Sequence, residues 1–276
     1  MQEALMSFRK IHPSLWLLIF THIITTNVFA DTIDNPCGGP SALLNLVDRP
    51  SAGDNACAVP FKQIILESGI QHQQLMQDGG NQWNVTQTEL RVGLPARNEF
   101  VMVLPNYIHQ SRTPRSGFAA MTAGLKHQFA YTEKWVAAVE SIFTLPNGSG
   151  AFGSDGTGVA LNGIANYTVT SSIGLTFMLG YTSQTEPTLE GGGRFSSVNP
   201  DIVLTYIINP KFYVYAEAYG QSKTAPDEGS GWNADGGILY LLRPHVALDM
   251  ELGQRINGQL GGFKQYIGAG CSILFN

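Results

Sequence analysis

Charge is scarce in this chain. Only 13% of its residues are Asp, Glu, Lys or Arg, against about 25% in an ordinary soluble domain. A protein that covers its outside with so little charge does not meet water over most of it. The charge present is acidic, net −5, which excludes the basic stripe of a nucleic-acid binder. Cysteine is limited to three residues, with no C-x-x-C and no Cys/His ligand spacing, so neither a metal centre nor a dithiol redox site is expected. His72, His109, His127 and His245 are scattered. No serine has an evident histidine partner, and no G-x-S-x-G elbow occurs. Gly150, Gly153, Gly156 and Gly158 lack the Lys-Ser/Thr and the helix of a phosphate loop. No catalytic, cofactor-binding or metal-binding residue is therefore assigned, and the chain is read as a non-enzyme. Beyond the N-terminus no apolar run approaches the roughly 20 residues of a membrane-spanning helix.

What the chain has is alternation. In the stretch after His245, Val246, Leu248, Met250 and Leu252 share one face, and Ala247, Asp249, Glu251 and Gly253 share the other. Ile173, Leu175, Phe177, Leu179 and Tyr181 form a similar stripe, and Phe212, Val214, Ala216 and Ala218 oppose Tyr213, Tyr215, Glu217 and Tyr219. A period of two specifies strand rather than helix. The spacing predicts strands at 60–71, 82–94, 98–109, 116–129, 134–145, 157–169, 171–183, 197–208, 211–221, 231–242, 245–256 and 262–275. Each is at or above the roughly 9–11 residues that cross a bilayer at a tilt. Pro105 and Pro200 weaken two of these strands, so ten is the alternative to twelve.

The connections alternate in length. Pro95-Ala96-Arg97, Tyr131-Thr132-Glu133, the join at Thr170, Asn209-Pro210 and Arg243-Pro244 are short, and those between them are longer and rich in Gly, Ser and Asp. Short turns on one side and long loops on the other are the habit of outer-membrane barrels, and a soluble sandwich gives no reason for such parity. Strand edges are not tolerated in lipid, so the sheet is expected to close. The fold class is an all-β, closed antiparallel transmembrane barrel of about twelve strands. Its apolar face would meet outer-membrane lipid and its polar face an aqueous lumen. The lumen-lining set is Glu67, Glu89, Arg91, Lys126, Glu140, Glu217, Asp235, Asp249, Glu251 and Arg255. Trp83, Trp135 and Trp232 fall near strand ends, where aromatic girdles belong.

Residues 1–30 read as a signal peptide: Arg9 and Lys10, an apolar stretch from Leu15, and Val28-Phe29-Ala30 before Asp31. Such export implies the outer membrane of a Gram-negative envelope. Residues 31–60 are a separate segment, with a short helix over Ala42–Val47 and Cys37 and Cys57 expected to pair in an oxidising compartment. Its place is open, either a periplasmic tail or a plug in the lumen. Residues 61–276 form the barrel.

Glu89-Leu90-Arg91-Val92-Gly93-Leu94 with Arg97-Asn98-Glu99-Phe100 resembles the strand-turn-strand signature of the phenol-degradation meta-pathway outer-membrane family. So do Gly124-Leu125-Lys126-His127, Leu145-Pro146-Asn147-Gly148, Asp235 to Pro244 followed by Leu248-Asp249-Met250-Glu251, and Tyr266 to Ser272. The likeness spans about residues 60–275. The chain departs from the family in its Cys37–Cys57 segment and in the Asn276 that follows Phe275. The resemblance implies a passive channel or transporter for small hydrophobic or aromatic compounds, without a cofactor. Assembly would pass through the barrel-assembly machinery, and the oligomeric state is not legible. The alternatives are a non-transporting structural or surface-interaction protein and, behind it, a barrel hydrolase.

Overall fold

The computed structural model describes residues 35–76 and 79–276. The expected signal peptide lies outside the described residues. The chain forms one antiparallel sheet that closes on itself, because β1 (Ile64–Leu75) pairs with both β14 (Phe263–Phe275) and β2 (Asn81–Leu94). Between them run β3 (Asn98–Leu104), β4 (Tyr107–Gln110), β5 (Ser116–Phe118), β6 (Thr122–Tyr131), β7 (Trp135–Thr144), β8 (Gly158–Thr170) and β9 (Ile173–Thr185). They are followed by β10 (Arg194–Asn209), β11 (Phe212–Gln221), β12 (Gly231–Arg243) and β13 (Val246–Asn257).

Fourteen strands make twelve crossings. The third crossing is β3 and β4, separated at Pro105-Asn106, with β3 on the lower part of β2 and β4 on its upper part. Proline has no N–H to give a ladder, which explains the break. The fourth crossing is likewise divided, into β5 and β6 around Ala119–Met121. Pro200 is tolerated inside β10, beside the point where the ladder to β11 ends at Asp201.

The first strand departs from the sequence reading: it spans 64–75 rather than 60–71. Pro60 to Gln63 turn instead of extending, with Lys62 at φ 71° and its N–H on the Gly93 carbonyl. Gln71-His72-Gln73-Gln74 looks like loop because it has no apolar alternation. It is strand because Gln71, Gln73, Gln82 and Asn84 bond one another across the inner face.

All short connections lie at the end where the barrel begins and finishes, and the longer ones at the other. The outward positions are apolar and exposed: Phe177, Leu179 and Tyr181 on β9, Leu248, Met250 and Leu252 on β13. This is an outer-membrane barrel, with that face toward lipid. Rings gather at both rims. Trp135 stacks on Tyr167 at 4.4 Å and Phe212 approaches Tyr240 at the short-turn rim, while His72 meets Trp83 at 4.5 Å at the long-loop rim.

Candidate functional site: the lumen

The inner face carries the ionic residues. Glu67, Arg91, Lys126, Glu140, Glu217, Asp235, Asp249 and Glu251 all point inward and are buried, and Glu89 is half-buried. Arg255 is not in this group. It is exposed at the long-loop rim, where its Nη1 donates to the Gly258 carbonyl. Sequence reading missed Glu99, fully buried on β3, and Asp201 on β10. Both sit on alternating strands with the right parity, which was a usable signal. It also missed Asp48 and Arg49, which no periodicity could have indicated.

Those two belong to residues 35–60, which lie inside the barrel rather than below it. A short helix, α1 (Ala42–Leu46), buries Leu43, Leu44 and Leu46 against inward Tyr213, Tyr215, Leu239 and Leu241. The Ser41 hydroxyl donates to the Pro210 carbonyl in a short turn. Cys37 and Cys57 are joined in a disulfide that closes the segment on itself. The rest of the segment is irregular, so its backbone N–H groups need partners in a place with little water. Barrel side chains supply them. Glu67 accepts from the N–H of Asp48 and Arg49, Glu217 from Ala52 and Gly53, and Glu99 from Val59. Gln128 and Asn166 take Ala58 and Ala56.

Ion pairs add to this. Arg91, with no exposed side-chain surface, lies 3.0 Å from Asp48, 3.1 Å from Glu67 and 2.7 Å from Glu99. It also donates to the carbonyls of Leu46 and Cys57. Lys126 lies 3.1 Å from Asp48 and 3.7 Å from Glu140. Arg49 reaches across to Asp249 at 3.0 Å. It can do so because its guanidinium rests on Gly69 and Gly270, a cross-strand pair. A Cβ at Gly270 would stand 2.6 Å from its Nε.

The space left is a series of cavities. A mouth of about 520 Å³ is walled by the long loops, with Glu186, Glu190 and Glu228 against Arg112. Burial and the neighbouring Glu186 hold the Glu190 carboxyl above the usual carboxylate range. Below it, about 240 Å³ lies between Arg49, Ser51, Gln71, Glu89, Tyr219, Glu251 and Tyr266. About 60 Å³ then follows beside Ser51, Gly53 and Tyr215, and about 150 Å³ beside Asn45, Asn55, Thr176, Thr205 and Tyr213 at the short-turn end. Neighbouring cavities share lining residues: Arg49, Pro50 and Ser51 at one junction, Leu44, Asn55, Thr176, Thr205 and Tyr213 at the next.

Two of the histidines sit against barrel side chains. His127 faces outward, its Nδ1 2.9 Å from the Asn98 amide oxygen, and His72 lies on Trp83.

Residues 68–267 match the profile of a family described as the MetA-pathway of phenol degradation. An outer-membrane channel from Pseudomonas putida is similar in fold, with TM-score 0.61 and 14% identity over 82% of this chain and 100% of that one. The NanC porin is similar at TM-score 0.55 and 14% identity, over 76% of this chain and 98% of its own. No curated protein matches by sequence.

Proposed function

The chain belongs to the MetA-pathway phenol-degradation family, and from that premise we propose that it is a passive channel for small hydrophobic or aromatic compounds. The observation that carries this reading is the file of cavities past the inner segment, each sharing walls with the next. A barrel serving only as a surface scaffold would have no need of graded space through its interior. Below the 240 Å³ cavity, whose walls include Gln71, Glu89, Val103 and Glu251, the path runs between Ser51, Asn55 and Leu44 of the segment and the β9–β11 wall. The opposite side is closed by the Arg91 and Lys126 ion pairs. The narrowest cavity, about 60 Å³, limits passage to small solutes and requires the segment to shift as they pass. The family description supplies the class of compound, since phenol, the compound it names, is small and aromatic.

Planar-bilayer recording and liposome swelling test this. The full chain should give small, infrequent conductance steps and admit small aromatic solutes. A chain lacking residues 35–60 should give large steady steps. If neither form conducts, the barrel is a non-transporting surface protein.

A further inference from the structure

The chain turns at the short-turn rim in six places, and five of them carry a cation. Lys62 precedes β1, Arg97 joins β2 to β3, Lys134 joins β6 to β7, Lys211 joins β10 to β11, and Arg243 ends β12. The sixth turn, between β8 and β9, is Ser171-Ser172. All five cationic side chains are exposed. Among the described residues of these turns the acidic side chain is Glu133. The long loops at the other rim mix the two signs, with Arg112, Arg115 and Lys223 against Glu186, Glu190 and Glu228. The short-turn rim is therefore cationic and the long-loop rim is not.

A second observation fixes the depth of these charges: each stands on or next to the aromatic girdle. Lys62 Nζ lies 5.5 Å from the centre of the Phe61 ring, and the Arg97 guanidinium 4.9 Å from that of Tyr131. Lys134 precedes Trp135, which stacks on Tyr167. Lys211 precedes Phe212, whose ring approaches Tyr240, and Arg243 ends the strand that carries Tyr240. Aromatic girdles sit at the level of the lipid headgroups. A lysine or arginine one step beyond such a girdle lays its stem along apolar surface and carries its charge to the phosphate plane. There it meets lipid phosphate rather than bulk water alone, and an arginine can donate two N–H groups to one phosphate.

We propose that Lys62, Arg97, Lys134, Lys211 and Arg243 form a collar that binds anionic phospholipid, with phosphatidylglycerol as the lipid it prefers. The recognised group is a phosphate whose charge nothing else in the headgroup cancels. Phosphatidylcholine carries the same phosphate with a fixed cation beside it, so the collar should attract it less. Lys134 also lines the 150 Å³ cavity at the short-turn end, so the bound lipid would border the lower opening of the lumen. The collar meets lipid whether or not the barrel conducts, and its test is independent of transport.

Quenching of tryptophan fluorescence by brominated lipid tests this in reconstituted vesicles. Replacing Trp16, Trp83 and Trp232 with Phe leaves Trp135 as the reporter at the short-turn rim, where it is 46% exposed. Replacing Trp16, Trp135 and Trp232 leaves Trp83 at the long-loop rim. At equal mole fraction, brominated phosphatidylglycerol should quench Trp135 more strongly than brominated phosphatidylcholine. The expected preference is about fivefold in relative association for a headgroup that meets one cation. It should shrink in high salt and be absent at Trp83. Changing all five cations to Gln should abolish it at Trp135. Should that variant fail to fold, Lys134→Gln with Lys211→Gln should reduce it while heat-modifiable mobility stays native. Should the tryptophan variants fail to fold, the native chain should still retain more phosphatidylglycerol than phosphatidylcholine on release from mixed micelles, counted by mass spectrometry. Equal quenching of Trp135 by the two lipids would overturn the proposal and leave the rim to an acidic protein. An equal preference at both tryptophans, or one kept after the Gln changes, would overturn it as well.

Discussion

At the scale of the residue, Arg91 is the member of the lumen whose loss would be felt most. Three carboxylates, Asp48, Glu67 and Glu99, depend on it, and so do two carbonyls of the inner segment. Removing one partner of a buried ionic group leaves the others uncompensated, at a cost of about 3–5 kcal/mol. Arg91→Met is expected to lower the free energy of urea unfolding of the detergent-folded barrel by that order, read as a fall in the urea midpoint. Arg91→Lys should recover only part of it, because an ammonium cannot present a guanidinium's fork of donors. An equal midpoint for Arg91→Met and the native chain would contradict the network. Gly270 offers a milder perturbation. Gly270→Val fills the notch under Arg49 and should release the inner segment from Asp249, raising single-channel open time while heat-modifiable mobility stays native. Arg91 and Lys126 were legible as lumen residues because their strands alternate cleanly. Asp48 and Arg49 were not, because their partners Lys126 and Asp249 lie far along the chain and no local pattern joins them.

Among the elements, the strands were readable and the inner segment's location was not. A strand announces itself by a period of two, and eleven neighbours constrain each reading through turn parity. The exceptions have local causes. β1 was displaced by the glutamine-rich inner ladder at Gln71 to Gln74, and the third crossing was broken by Pro105. Residues 35–60 carry a disulfide, a helix of five residues and irregular backbone, a description that fits a tail or a plug equally well. What distinguishes the two is donors meeting acceptors. Seven backbone N–H groups of this segment end on Glu67, Glu99, Gln128, Asn166 and Glu217. The disulfide closes a loop of sequence separation 20, a constraint worth about 3 kcal/mol in the chain-entropy account. Cys37→Ser with Cys57→Ser should leave the barrel folded and make the segment mobile. Chymotrypsin entering from the short-turn side is expected to cleave after Leu44 or Leu46, which are buried in the native protein, in that variant and not in the native protein. Resistance to cleavage in both would mean that the ion pairs alone hold the segment.

For the whole molecule, the two faces of one sheet are held to opposite rules, and the same substitution should report which face it lands on. Outside, the barrel shows Phe177, Leu179 and Tyr181 in a row on β9, Leu179 at 60% exposure. Inside, the neighbouring residues Thr176 and Met178 face the segment and the cavities. An arginine on the lipid face near the bilayer midplane costs about 2–4 kcal/mol. Leu179→Arg is therefore expected to destabilise the barrel by that order in phospholipid vesicles. In a detergent micelle the penalty should be smaller, because water and headgroups reach the side chain. Thr176→Arg should reverse the dependence. It introduces a cation into a lumen already rich in carboxylates, so its effect should be similar in vesicles and micelles, and it should appear instead as narrowed conductance at the 150 Å³ cavity that Thr176 lines. Measuring unfolding of both variants in both media separates the readings. A lipid-dependent penalty at Leu179 with none at Thr176 is what a closed barrel with a polar, ionic interior demands. Equal penalties in the two media at Leu179 would place that face against water and remove the membrane from the argument altogether.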